Sequence, residues 1–359
     1  MNSRYKFVVI TSSTCLVVLL LLGAVMGKSA SPEDAYRHLA VYTEVLSRIK
    51  SEYVEEPDIK NVTLGAMNGM LESIDPFSSY LSSEQYKQYL KNSDVKKANV
   101  GLSLSRRFGY VGVVNSVPGS AAARAGLSTG DVLESINGVA TRDMPLAYAE
   151  MLLAGETGSD VDLSVLRARK PEPQKITLTR AAVRLPSVTS KLLSDGIGLI
   201  QAPAIDAAKV KDVASQIDQL QKQGAKKFIL DLRSSGLGKP ADGALLANLF
   251  IEKGLLTYVE GQKIARENTE ADPASARFKS QPLVLLTNRG TANAAEVAAA
   301  ALLDSKRAEI VGEPTYGDAA IRRAITMDDG SAVILSVAKH ITSQRQENPG
   351  RPRDAELFG

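Results

Sequence analysis

Lys227-Phe228-Ile229-Leu230-Asp231-Leu232 is the stretch on which the fold turns. A short run with three consecutive apolar residues, Phe228 to Leu230, and no polar alternation through them reads as a strand buried on both faces, the kind found inside a parallel sheet. Upstream, Ile197 to Gln201 forms a second short strand, and helical spacing from about Ala208 to Gln223 joins the two. Downstream come a glycine-containing turn, a helix from Ala241 to Phe250, a strand from Leu283 to Leu286, a helix from Ala294 to Leu303 and a strand from Glu309 to Val311. Strands near Ile321 to Met327 and Ala332 to Val337 follow. Strand–helix alternation of this kind predicts an α/β layer with a largely parallel sheet. Glu267 to Ser280 is polar and irregular and reads as a surface loop.

Before this layer the period shortens towards two. Val100 to Leu104, Val111 to Val114, Val161 to Leu166 and Lys175 to Thr179 read as short strands, Ala121 to Ala125 as a short helix, and Lys170-Pro171-Glu172-Pro173 as a hairpin tip. A further helix, capped by Asp143, carries Ala149, Leu152 and Leu153. Many short strands with two short helices predict a small β-rich domain over 95–182. Residues 31–94 read as a helical segment: Ser31-Pro32-Glu33-Asp34 is a helix start, and Asp58 to Ile74 a second helix stopped by Asp75-Pro76.

Phe7 to Gly27 is predominantly apolar and uncharged, and Arg4 and Lys6 precede it. A helix of that length rises about 30 Å, one bilayer core. Basic residues before it place the N-terminus in the cytoplasm and everything after Lys28 outside. The expectation for residues 1–30 is therefore a membrane anchor, or a signal peptide removed near Val25-Met26-Gly27. Cys15, the single cysteine, lies within this run and excludes a disulfide within the chain and a thiolate metal site.

The remaining composition bounds function by exclusion. Among 359 residues, 43 Lys and Arg are dispersed among 40 Asp and Glu, so no basic face for nucleic acid is legible. Trp is absent and aromatics are 5%, which argues against stacking platforms. No close-spaced His, Asp and Glu cluster and no glycine-rich phosphate loop appear, so neither a metal nor a cofactor is expected.

Several segments together resemble the C-terminal processing peptidases. Ser51-Glu52-Tyr53-Val54 with Leu64 to Pro76 is similar to that family's opening segment. Ala125-Gly126-Leu127-Ser128-Thr129-Gly130-Asp131-Val132-Leu133-Glu134-Ser135-Ile136-Asn137-Gly138 resembles its PDZ signature. Phe228 to Arg233 resembles its core strand, and Ile310 to Gly317 continues the pattern. The resemblance implies a multidomain α+β and α/β chain: a helical segment, a PDZ domain (95–182) and a peptidase core (183–359) with crotonase-like ββα layering. It also implies capture of peptide C-termini by a carboxylate loop at Asn99-Val100-Gly101-Leu102-Ser103, with Val100 and Leu102 framing an apolar pocket together with Ala149, Leu152 and Leu153.

At the catalytic positions the chain departs from the family, which attacks with a serine in a strand-to-helix turn, uses a neutral lysine as base and positions it with a glutamine. In Gly290-Thr291-Ala292-Asn293-Ala294-Ala295-Glu296 the serine position holds Asn293; Asp318 follows Gly317 where the lysine belongs, and Arg322 stands for the glutamine. The oxyanion region, Gly236-Leu237-Gly238 with Ala294, is also altered. An amide is a poor nucleophile, and a guanidinium opposite Asp318 holds that carboxylate ionised. The expectation is an extracytoplasmic, single-pass protein of the inner or plasma membrane, facing the periplasm. It binds peptide C-termini, pairs with an active relative and does not cleave; the alternative is an active serine-type endopeptidase trimming C-terminal tails. Thr291, Ser305 and His340 are the candidates for a relocated group.

Overall fold

A computed structural model describes residues 32–93, 98–107, 109–167 and 170–342. The expected span Phe7 to Gly27, the Ser31 cap and Cys15 lie outside these; among the described residues no helix is long and apolar enough to cross a membrane. The chain divides into two compact units, Met1–Thr63 and Leu64–Gly359.

Helix α1 (Pro32–Glu52) is followed by α2 (Ile59–Glu72). Asp58 opens α2 by accepting from the N–H groups of Lys60 (3.0 Å) and Asn61 (3.2 Å), satisfying two donors that a helix start leaves free. Strand β1 (Ser79–Leu81) and α3 (Ser83–Ser93) come next. The sequence reading of a helical segment through residue 94 is thus corrected: three residues of it join a sheet, too few to show a period.

The β-rich part contains β2 (Leu102–Arg107), β3 (Tyr110–Ser116), α4 (Ala121–Arg124), β4 (Val132–Ile136), β5 (Val139–Ala140), α5 (Leu146–Leu153), β6 (Asp160–Arg167) and β7 (Lys170–Thr179). Its antiparallel sheet runs β2-β3-β4-β6-β7, with β5 on β4. Val100, Leu104, Val113, Leu133, Ile136, Leu153 and Leu163 close over one core. Two expectations are corrected here. Lys170 to Pro173 belong to β7 rather than to the hairpin tip, because an edge strand has a free side on which prolines forfeit no ladder bond. Asp143 does not cap α5; Pro145 holds that position, and Asp143 sits at φ 57 with its N–H donating to Gly109 O.

The core follows with β8 (Thr189–Leu192), β9 (Ile197–Gln201), α6 (Ala207–Lys222), β10 (Lys227–Asp231), α7 (Pro240–Asn248), β11 (Leu255–Gly261), β12 (Ile264–Glu270), β13 (Leu283–Thr287), α8 (Ala294–Asp304), β14 (Glu309–Gly312), β15 (Ala320–Thr326) and β16 (Ala332–Ile341). One sheet, β14-β13-β10-β9-β8, is parallel except for β8. A second, antiparallel sheet runs β1-β16-β11-β12 with β15 on β16. The loop expected over Glu267 to Ser280 begins as β12, an edge strand exposed on nearly every residue, so no apolar alternation marks it.

Six of the eleven residues of α8 are alanine and it is wholly enclosed from Ala294 to Leu302, which lets α7 approach it closely. At the seam, a Cβ on Gly243 would stand 2.0 Å from Ala294 O. Gly243→Ala should therefore force the helices apart and lower unfolding stability by about 1–3 kcal/mol, read as a lower guanidinium midpoint at unchanged slope.

Candidate functional site

Two loops, one after β10 and one after β13, are stitched together where α8 begins. Asn288 Oδ1 accepts from Ser234 N (2.8 Å) and Gly290 N (3.0 Å), and Ala292 N donates to Ser235 O (2.9 Å). Thr291, fully buried, donates its hydroxyl to Leu232 O (2.8 Å) and accepts from Asn288 N (3.1 Å). These bonds drive the chain into a sharp elbow at Asn293, with φ 53 and ψ −118. A side-chain-bearing residue in that conformation costs about 1–3 kcal/mol and persists only where surroundings over-determine it.

Asn293 is half-buried at the N-cap of α8, its amide Nδ2 donating to Gly236 O at 3.1 Å. The strand-to-helix turn drawn from the sequence is thus present, and its side chain reaches the Gly236 loop. Leu237 O accepts from Ile205 N (3.0 Å), and Gly238 holds φ 129 because a Cβ there would stand 1.9 Å from Ile205 O. From the β-rich domain, Asn115 of β3 donates to Ser234 O at 2.7 Å, tying that domain to the same loop.

Glu296, unassigned from the sequence, joins the pieces. It is buried, and its Oε2 accepts from Asn293 N (3.1 Å) and Asp318 N (2.8 Å) while Oε1 accepts from Gly317 N (2.5 Å). The legible signal was the capping box, an N-cap residue with Glu at the third helical position. Burial pushes its carboxyl up to about 7, against the pull of the Thr315 hydroxyl and the Gly317 and Asp318 amides.

Asp318 and Arg322 come together as expected from their spacing: the Arg322 guanidinium bonds Asp318 Oδ1 and lies 4.3 Å over the Phe77 ring. Burial raises the Asp318 carboxyl, and Arg322 pulls it back. Phe77 also meets Tyr316 edge-on at 5.6 Å, and burial pushes the Tyr316 phenol up to about 12. A cavity of about 500 Å³ borders this group, walled by Phe77, Arg106, Tyr316, Gly317, Lys339 and His340; Asn293, Asp318 and Arg322 are not among its lining residues. Thr291 is committed to the turn, Ser305 Oγ donates to Leu302 O at the end of α8, and His340 has Nδ1 buried without a partner among the described residues. None of the three presents a hydroxyl to a base. Among the described residues no cluster could hold a metal ion.

The peptide-binding set divides. Strand β2, carrying Leu102 and Ser103, is an edge strand with one side open to an added strand. Gly101 holds φ 82, and a Cβ there would meet Ser120 Cβ at 2.3 Å. Val100, Ala149 and Leu153 belong to the domain's closed core, so the expected pocket reduces to the partly exposed Leu102 and Leu152. The carboxylate loop is also self-satisfied: Asn99 Oδ1 accepts from Val100 N (2.6 Å) and Gly101 N (3.0 Å).

Residues 196–354 match the model of peptidase family S41, and residues 112–167 that of the PDZ domain. The carboxy-terminal processing protease CtpA of Bacillus subtilis (strain 168) is 33% identical over 318 residues, covering 88% of this chain and 67% of the relative. Carboxyl-terminal-processing peptidase 2, chloroplastic, of Arabidopsis thaliana is 31% identical over 303 residues, covering 80% of this chain and 58% of the relative. Among solved structures, that of the photosystem II D1 C-terminal processing protease is similar with a TM-score of 0.66 and 27% identity, covering 84% of this chain and 88% of that one.

The raised Glu296 carboxyl makes stability depend on pH. Between the ordinary value of 4.5 and about 7 the folded chain holds a proton that the unfolded chain has released, so this group's contribution falls as pH rises through that window and is level above it. Glu296→Gln should remove that component, about 3 kcal/mol across the window. Guanidinium midpoints measured from mildly acidic to neutral pH should decline less steeply in the variant than in the parent chain.

Proposed function

The chain belongs to the C-terminal processing peptidases, and from that premise we propose that it is a non-catalytic member that captures peptide C-termini and anchors them at a membrane surface. The single observation that carries this reading is the occupant of the elbow: Asn293, its amide turned onto Gly236 O, with an Asp318–Arg322 ion pair where a neutral amine would serve as base. An amide nitrogen has its lone pair delocalised and no hydroxyl proton to give. Asp318 faces no hydroxyl at that position, and Arg322 cannot deprotonate to act in its place. Weakening an oxyanion site alone typically costs roughly 10²–10³ in rate, and loss of nucleophile and base together removes the reaction itself.

The capture half of the proposal is supported by the PDZ match and by the open edge of β2. A peptide adds there as a further strand, its last side chain against Leu102 and Leu152 and its carboxylate displacing Asn99 Oδ1 from the N–H groups of Val100 and Gly101. Residues Phe7 to Gly27 supply the anchor and place the bulk of the chain outside the cytoplasm, in the periplasm, where an active homologous peptidase is the partner it would regulate.

A second reading, an active endopeptidase with a relocated nucleophile, is favoured by one fact: the relatives are named as proteases. It needs a hydroxyl set against a base near the elbow; Thr291 spends its own on Leu232 O, and Ser235 Oγ is buried there with no bonding partner among the described residues.

The first test is a fluorescence titration with a labelled peptide ending in an apolar residue, in free-acid and amidated forms. The proposal expects saturable binding that weakens roughly tenfold or more on amidation, the loss of charge-assisted bonds to the loop, and an uncut peptide on recovery. Equal affinity for both forms would remove the capture reading, and cleavage the non-catalytic one. The second test is the triple variant Asn293→Ser, Asp318→Lys, Arg322→Gln. Cleavage should appear in the triple variant, and its continued absence would contradict the assignment of these three positions.

A further inference from the structure

The elbow holds Asn293 in the torsion that an asparagine must adopt to react with its own backbone. Closure of a five-membered imide requires the asparagine Cβ and the next backbone nitrogen to eclipse one another about the Cα–C bond. Because Cα is tetrahedral, that arrangement falls, for an L residue, at ψ of about −120°. Helical residues, at ψ about −42°, and antiparallel strand residues, at about +135°, must rotate far to reach it. Asn293 stands at ψ −118.

The attacking atom is also free. Ala294 is the first residue of α8, and its N–H donates to no acceptor among the described residues, as the opening N–H groups of a helix do when no cap reaches them. The helix start favours negative charge, which is what that nitrogen carries once its proton leaves. The Asn293 amide Nδ2 is held on Gly236 O, which withholds it from attacking the main chain. Asn293 is only half-buried, so water reaches its side chain at the elbow, while Ala294 behind it is enclosed.

We infer that Asn293 is a self-modifying residue: the elbow drives it through a succinimide to an aspartyl or isoaspartyl residue. Hydroxide takes the Ala294 N–H proton, and the nitrogen bonds to Asn293 Cγ. The Cγ–Nδ2 bond breaks, and Nδ2 leaves as ammonia with a proton from water. Water then opens the imide, at Cγ to give the aspartyl chain or at the main-chain carbonyl to give the isoaspartyl one. No oxidant or reductant takes part. The aspartyl product puts a carboxylate, a group able to attack covalently where an amide cannot, beside Glu296 at the nucleophile position. This inference rests on the elbow torsion and stands whether or not peptides bind at β2.

The test is peptide mapping by mass spectrometry of the full chain held in mildly alkaline, isotopically heavy water, folded in one arm and unfolded in guanidinium in the other. The N293D chain supplies the reference for the aspartyl product. Asn137, followed by Gly138 in an exposed turn and bonded to Asp162 in the folded chain, is the internal comparison within each arm. The expected result is conversion at Asn293 with uptake of heavy oxygen, roughly tenfold or more faster in the folded arm because the torsion is already set, and accelerating with pH. A folded rate equal to or below the unfolded rate would overturn the inference. So would scission between Asn293 and Ala294 in place of conversion.

Discussion

A residue with a side chain does not rest at φ 53 and ψ −118 unless its neighbours leave it no alternative. The elbow at Asn293 is the constraint around which the core is assembled. Thr291 and Asn288 bind the β13 turn to the loop after β10, Asn115 binds the PDZ domain to that same loop, and Glu296 ties the start of α8 to the Gly317-Asp318 backbone. Each of these bonds would be distorted if the turn relaxed. The alanine-lined α8 and its close approach to α7 through Gly243 leave the helix start no room to withdraw.

The same constraint is held largely by groups other than the side chain at the elbow. The bonds that hold the turn run through Asn288, Thr291, Glu296 and the backbone. Asp318 and Arg322 form an ion pair packed over Phe77, and the bonds to Glu296 come from backbone N–H groups that any residue but proline at position 318 would supply.

What the sequence disclosed follows from burial. Strands β9, β10 and β13 lie in the middle of a sheet and read as compact apolar runs, while β12 lies at an edge, is exposed on nearly every residue and left no pattern. The three-residue β1 is too short for any period. At the site, Asn293, Asp318 and Arg322 were singled out only by their places in a resemblance, and Glu296 was missed although its capping box could have marked it. The closure of Val100, Ala149 and Leu153 into the PDZ core and the turn of Asn99 onto its own loop were not, because each depends on a three-dimensional neighbour that spacing does not specify.

The proposal turns on there being no activated hydroxyl among the described residues. Incubating the intact protein with a fluorophosphonate, which bonds only to hydroxyls made nucleophilic by an adjacent base, tests it directly. The account predicts an unmodified intact mass after prolonged exposure, with Thr291 and Ser305 both unlabelled. A stoichiometric adduct mapped to one residue would contradict it.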